Sequence, residues 1–200
     1  VVSTKSFTAQ LATLYLVSRM IVGKDNEAAS EIKKLGMALE KWLDEKLLNK
    51  IITLAKQITD EEDMYVVGKH LNFPGALEFG LKIKESSYIH AESFAAGELK
   101  HGVITLIGKN TPCFVLGAND ETKLELMSSA AELKARGGKI IGIAPYSSEE
   151  FYFHIETPEV GNLTIFPNMI VGQLLGYYLG IGRGTDPDKT RNLAKSVTVK

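Results

Sequence analysis

The residue types best suited to chemistry crowd between Glu78 and His101, in EFGLKIKESSYIHAESFAAGELKH. Lys82 and Glu85 stand three positions apart, so on a helix they share a face and their charged ends can meet. Such a pair can keep a carboxylate ionised and aimed at a substrate C–H, as a general base requires. The same spacing also makes an ordinary surface salt bridge worth about 0.3 kcal/mol, and spacing alone favours that plainer reading. His101 closes the run Gly97-Glu98-Leu99-Lys100-His101-Gly102, which is expected to end a helix before the next strand, where α/β sheets place functional groups. A histidine there can act as an acid or base near neutral pH, or can sit as a cation against a helix end. His90, expected near the middle of the same helical stretch, reads as a packed or hydrogen-bonded core histidine, while His70 and His154 carry no motif.

These side chains need a frame. The apolar residues Phe7, Leu11, Leu14, Val17 and Ile21 recur at helical steps, with Ser3 and Thr4 as candidate caps. Further helices are expected over 27–48 and 48–58. The texture then changes at Met64-Tyr65-Val66-Val67-Gly68, a β-branched and aromatic run suited to a buried parallel strand. Other strands are expected at 103–107, 113–117, 139–144 and 151–157, and helices after Pro74, over 121–136, and in the apolar segment ending near Gly182. Strands alternating with helices predict an open α/β sheet of about five parallel strands, with ligands beyond the carboxyl ends of the strands. On that frame Glu85 and Lys82 are expected to face a ligand-sized hollow at the top of the sheet.

Composition narrows the partners. With 23 basic against 24 acidic side chains, the chain has no electrostatic footprint for nucleic acid or an anionic membrane surface. The stretch 163–182 approaches the roughly 20 residues of a bilayer span. It is interrupted by Pro167, Asn168 and Gln173, however, and is expected to be a buried helix rather than a membrane segment. A single cysteine, Cys113, allows no internal disulfide and no metal-ligand spacing, so no metal is expected and a cytoplasmic setting is. Gly182-x-Gly184 follows a helix and lacks a third glycine, so no dinucleotide cofactor is expected either. The chain opens on Val1-Val2-Ser3-Thr4-Lys5 without an initiating Met, which suggests a piece of a longer protein. By physics alone, residues 184–200 read as a mobile basic tail.

The stretch Phe73-Pro74-Gly75-Ala76-Leu77-Glu78 through Lys82, Lys84-Glu85, Ser87-Tyr88-Ile89-His90-Ala91-Glu92 and Gly97-Glu98-Leu99-Lys100-His101-Gly102 closely resembles the second sugar-isomerase (SIS) domain of the glucosamine-6-phosphate synthase family. The opening Val1-Val2-Ser3-Thr4-Lys5-Ser6-Phe7 is similar to the family's segment leaving its first SIS domain. The closing Arg191-Asn192-Leu193-Ala194-Lys195-Ser196-Val197-Thr198-Val199 is similar to its terminal tail. The resemblance implies a flavodoxin-like SIS fold, organised as a helical lead-in over 1–60, the SIS domain over 61–183 and a catalytic tail over 184–200. It implies an isomerase part of an enzyme that makes glucosamine 6-phosphate from fructose 6-phosphate and glutamine-derived ammonia, in a homodimer, beside a first SIS domain and a glutaminase domain. In that scheme Glu85 moves a proton between C1 and C2, Lys82 beside it tunes or shares that proton, and His101 opens the sugar ring from a neighbouring subunit. Lys195 forms an imine or shuttles protons, Arg191 anchors the tail, and Val1, Ser3 and Ala194 touch the sugar. Two motifs depart from the family pattern: Gly68-Lys69-His70-Leu71-Asn72-Phe73-Pro74 stands for Gly-Arg-Gly-x-x-Tyr-Pro, and Lys100-His101-Gly102-Val103 for Lys-His-Gly-Pro. A glutaminase-free amino-sugar-phosphate deaminase or isomerase, and a non-catalytic sugar-phosphate-binding module, remain as alternative readings.

Overall fold

The computed structural model describes residues 2–193. Two helices, α1 (Thr4–Ile21) and α2 (Asp25–Trp42), pair at the amino end of the chain and lead into α3 (Glu45–Ile58). The expected 27–48 helix is therefore broken before Asp44. That residue caps α3 by accepting from Leu47 N at 2.8 Å, a stronger local signal than the apolar periodicity running through it. At the start of α1, Ser3 holds the N-cap position with left-handed backbone and makes no side-chain cap hydrogen bond.

Five strands follow: β1 (Asp63–Gly68), β2 (His90–Ala95), β3 (Pro112–Leu116), β4 (Lys139–Ala144) and β5 (Phe153–Glu156). All neighbours pair in parallel in the order β2-β1-β3-β4-β5, the flavodoxin-like arrangement. The central strands are buried on both faces, which is why they read as continuous apolar runs. Met64, Val66, Phe114, Leu116, Ile141 and Ile143 face one core with α3, α4 (Asn72–Ser87) and α6 (Ile165–Gly182). Tyr65, Val67, Cys113, Val115 and Ile140 face the other with Leu126, Ala130 and Leu133 of α5 (Lys123–Ala135). No helix among the described residues is long and apolar enough to cross a membrane.

One strand expectation fails. Residues Val103–Leu106 form a short 3-10 turn, and the remaining strand is β2, whose sequence His90-Ala91-Glu92-Ser93-Phe94-Ala95 lacks an apolar run because it lies at the sheet's edge. His90 is accordingly no core histidine in a helix. It opens β2, is exposed, and places Nδ1 2.7 Å from Asp63 Oδ1.

Three glycines of α6, Gly172, Gly176 and Gly180, pack against α4. A Cβ built on Gly172 would stand 2.6 Å from Phe79 Cδ2, on Gly176 2.8 Å from Lys82 O, and on Gly180 2.8 Å from Ser86 O. Only hydrogen at these positions lets the two helix backbones approach so closely. Gly176→Ala should force α6 off α4 and cost about 1–3 kcal/mol, read as a lower urea midpoint with unchanged slope.

Cys113 is wholly buried, and burial pushes its thiol up to about 12. The unfolded thiol ionises from 9.0 upward while the folded one stays protonated, so the unfolded state is favoured progressively between 9.0 and about 12. Folding stability should therefore fall with rising pH across that window, with a shallower fall in Cys113→Ala. Native protein at pH 8 should resist thiol-labelling reagents until it unfolds.

Candidate active site

Helix α4 leaves the carboxyl end of β1 and returns to the amino end of β2, so its last turns lie beside the amino edge of a parallel sheet. Lys82 and Glu85 sit there. This corrects the expectation of a hollow beyond the carboxyl ends: the strongest cluster of charge lies on the flank of α4, at the opposite edge from the switch point between β1 and β3.

Lys82 is no surface lysine. Its side chain is 3% exposed, and Nζ stands 2.9 Å from Glu85 Oε2, 3.1 Å from Glu78 Oε1 and 2.5 Å from Val2 O. An ammonium has three protons to donate, and these three acceptors use them all. Glu78, Lys82 and Glu85 follow at four- and three-residue steps, so one stripe of α4 carries a cation clasped between two carboxylates. Glu78 and Glu85 are 14% and 19% exposed, which removes most of the water that would weaken the pairing. Glu85 is also near the carboxyl end of a helix, where the dipole disfavours an anion. Lys82 offsets that disadvantage and fixes where the carboxylate points.

Two segments distant in sequence converge on this stripe. Residues 2 and 3 run past it, with Val2 O on Lys82 and Ser3 lining a 210 Å³ hollow alongside Ser86, Gln173 and Tyr177. From the other side comes the segment after α6. Thr185 Oγ1 donates to Ser86 O at 2.5 Å, and Arg191 N donates to Tyr88 Oη at 2.8 Å. The Arg191 guanidinium lies 4.1 Å from the centre of the Tyr88 ring, within the range of a cation–π contact. Glu85, Tyr88, His90, Arg191 and Leu193 share the lining of a second hollow of 340 Å³, room for a small polar molecule. Tyr88, the residue after α4, holds φ 61°, a left-handed conformation that costs a non-glycine residue about 1–2 kcal/mol.

The structure thus brings Lys82, Glu85, Ser3 and Arg191 to one flank. His101 is elsewhere. It ends a 3-10 turn, Ala96–His101, beyond the carboxyl end of β2, and that strand alone separates it from the Glu85 edge by about 17 Å. The turn is pinned by buried Ala96 and Leu99 and by the Lys100–Glu132 ion pair at 2.9 Å, which leaves the imidazole exposed. Gly102 follows at φ 129°, which a side chain would resist, so this glycine keeps the turn open where the family pattern has proline next. The other departing motif puts His70 at φ 52°, in the place of a family glycine. Val1, Ala194 and Lys195 lie outside the described residues. Among those described, no group of three or more His, Cys, Asp or Glu is placed to hold a metal ion.

Sequence reasoning missed Glu78, Tyr88 and the Val2 carbonyl. Glu78 was within reach of it, since a glutamate four positions before a lysine on a helix is itself a pairing signal. No spacing rule could have given Tyr88 or Val2, whose partners lie 103 and 80 positions away.

Residues 57–150 match the family model described as "SIS domain". Along its whole length the chain is 39% identical to the isomerizing glutamine–fructose-6-phosphate aminotransferase of Xanthomonas campestris and 40% identical to that of Mesorhizobium japonicum. It spans about a third of those proteins, 35% of each. Among solved structures, the C-terminal domain of glucosamine-fructose-6-phosphate aminotransferase from Francisella tularensis superposes with a TM-score of 0.83 at 32% identity, over 94% of this chain and 56% of that one. A glucosamine-6-phosphate deaminase from Thermotoga maritima shares the fold, with a TM-score of 0.70 at 23% identity over 97% of this chain and 56% of that one. Residues 57–150 thus carry an SIS domain, and along its whole length the chain is a homologue of part of the isomerizing glutamine–fructose-6-phosphate aminotransferases.

Proposed function

We propose that this chain is the part of an isomerizing glutamine–fructose-6-phosphate aminotransferase that moves a proton between C1 and C2 of the sugar, with Glu85 as the base. The observation that carries the reading is the clasp of Lys82 by Glu78 and Glu85 at the meeting point of the opening and closing segments. Of the two carboxylates, Glu85 borders the 340 Å³ hollow. Once ammonia has condensed with the C2 carbonyl, an ionised Glu85 takes a proton from C1. The C–H electrons form a C1–C2 double bond, and the imine electrons pass to nitrogen, which takes up a proton. Return of a proton from Glu85 to C2, with loss of the C1 hydroxyl proton, leaves an aldehyde and a C2 amine. One oriented carboxylate can serve both carbons because they are adjacent.

Lys82, with its three protons engaged, acts by charge and position rather than as a proton carrier. Arg191 holds the terminal segment, and Lys195, beyond the described residues, is assigned the amine chemistry of the tail. Ser3, Val1 and Ala194 are assigned to sugar contact. His101 stands at the far edge of the sheet, so its ring-opening role belongs to the site of a second copy, which makes the working form a homodimer. We read residues 61–183 as the SIS unit, 1–60 as its lead-in and 184–200 as the tail. A first SIS domain and a glutaminase domain complete the protein, in the cytoplasm and without a cofactor. The test is turnover by the full-length protein: glucosamine 6-phosphate formed from fructose 6-phosphate with glutamine supports the reading, and sugar-phosphate binding with no amino sugar formed overturns it.

A further inference from the structure

We propose that Tyr88 is the clamp that fixes the terminal segment beside Glu85, making it a positioning residue for the proton transfer; this deepens, and rests on, the function proposed above. Tyr88 grips Arg191 twice. Its phenol oxygen accepts the Arg191 backbone N–H at 2.8 Å, and its ring carries the guanidinium at 4.1 Å. A backbone contact alone would let the chain pivot, and a cation–π contact alone would let it slide along the ring face. Together they fix both the main chain and the side chain of one residue.

The consequence falls on Glu85. Tyr88 is three residues beyond it, and Asn192 and Leu193, which follow Arg191, line the same hollow as Glu85, Lys84, Ile89 and His90. The other anchor of this segment, Thr185 on Ser86 O, lies six positions upstream and cannot by itself set the direction in which residue 193 leaves. The backbone at Tyr88 points to the same role. Position φ 61° after a helix is where glycine is usually found, and a tyrosine held there aims its ring out of the helix end and under Arg191. A strained residue at a ligand-sized hollow is the pattern expected where position matters more than local stability.

Glycine at position 88 separates these effects, because it relieves the backbone while deleting the clamp. In the full-length protein, Tyr88→Gly should leave the unfolding midpoint unchanged or higher. Amide hydrogen exchange of the peptide covering residues 188–193 should become about tenfold faster. The kcat for glucosamine 6-phosphate formation should fall about tenfold, with KM moved less. Tyr88→Phe keeps the ring and loses the acceptor, so it should speed exchange of the Arg191 amide and lower kcat, by less than Tyr88→Gly does. Exchange of 188–193 unchanged in Tyr88→Gly would overturn the clamp. Faster exchange with wild-type kcat would overturn its positioning role. The exchange readout needs no turnover, so it remains decisive even if Glu85 proves not to be the base.

Discussion

On the proposed function, Glu85→Gln in the full-length protein should lower sugar isomerisation by about 10²–10⁴-fold and spare glutamine hydrolysis. The substitution is close to isosteric, and the glutamine carbonyl can still accept from Lys82, so the clasp and the fold survive while the basic lone pair is lost. The effect should appear in kcat rather than KM, because the carboxylate is asked to act on a C–H bond rather than to hold the phosphate. Steady-state kinetics of glucosamine 6-phosphate formation, with ammonia released from glutamine measured in parallel, read both halves in one sample. An isomerisation rate equal to wild type would remove Glu85 from the mechanism.

The second large effect is on Lys82. Lys82→Met fills a similar volume but leaves Glu78 and Glu85 facing each other without a counter-charge, and leaves the Val2 carbonyl without its donor. Breaking one side of a buried ion pair costs about 3–5 kcal/mol. Residual exposure of the two glutamates puts the expected cost at the lower end, about 3 kcal/mol. Glu85 also loses the cation that fixes where its carboxylate points, so kcat should fall with KM moved less. Adding Glu78→Gln removes the like charge and should restore part of both stability and rate, a coupling measurable as a double-mutant cycle. Loss of stability with kcat unchanged would leave Lys82 with a packing role only.

Much of this was legible from residues alone, and the failures are instructive. The alternation of strands and helices was readable because β1, β3 and β4 are buried on both faces and so are written as apolar runs. β2 was not, because an edge strand with only Ala91 fully buried carries Glu, Ser and His and has no such run. The apolar residues 103–107 were mistaken for it, although they close a 3-10 turn under Gly102. Lys82 and Glu85 were correctly paired by spacing, but spacing says nothing of burial. That the pair is enclosed follows from the close approach of α6 at its glycines and from Val2 passing overhead, both contacts over more than 70 positions of chain. The location was misjudged for a related reason. The rule that ligands gather at the carboxyl edge applies to loops, whereas this site uses the side of a helix against two chain ends.

The central claim is that Glu85 carries the proton between C1 and C2, and exchange of the C2 hydrogen of glucosamine 6-phosphate with deuterium from the solvent tests it most directly, followed by proton NMR on the full-length protein. The account predicts enzyme-dependent loss of the C2–H signal, because the proton held on the part-exposed Glu85 carboxyl exchanges with solvent before it is returned, and a loss slowed at least about 100-fold in Glu85→Gln with the fold intact. Loss of that signal at the same rate in both proteins would contradict it.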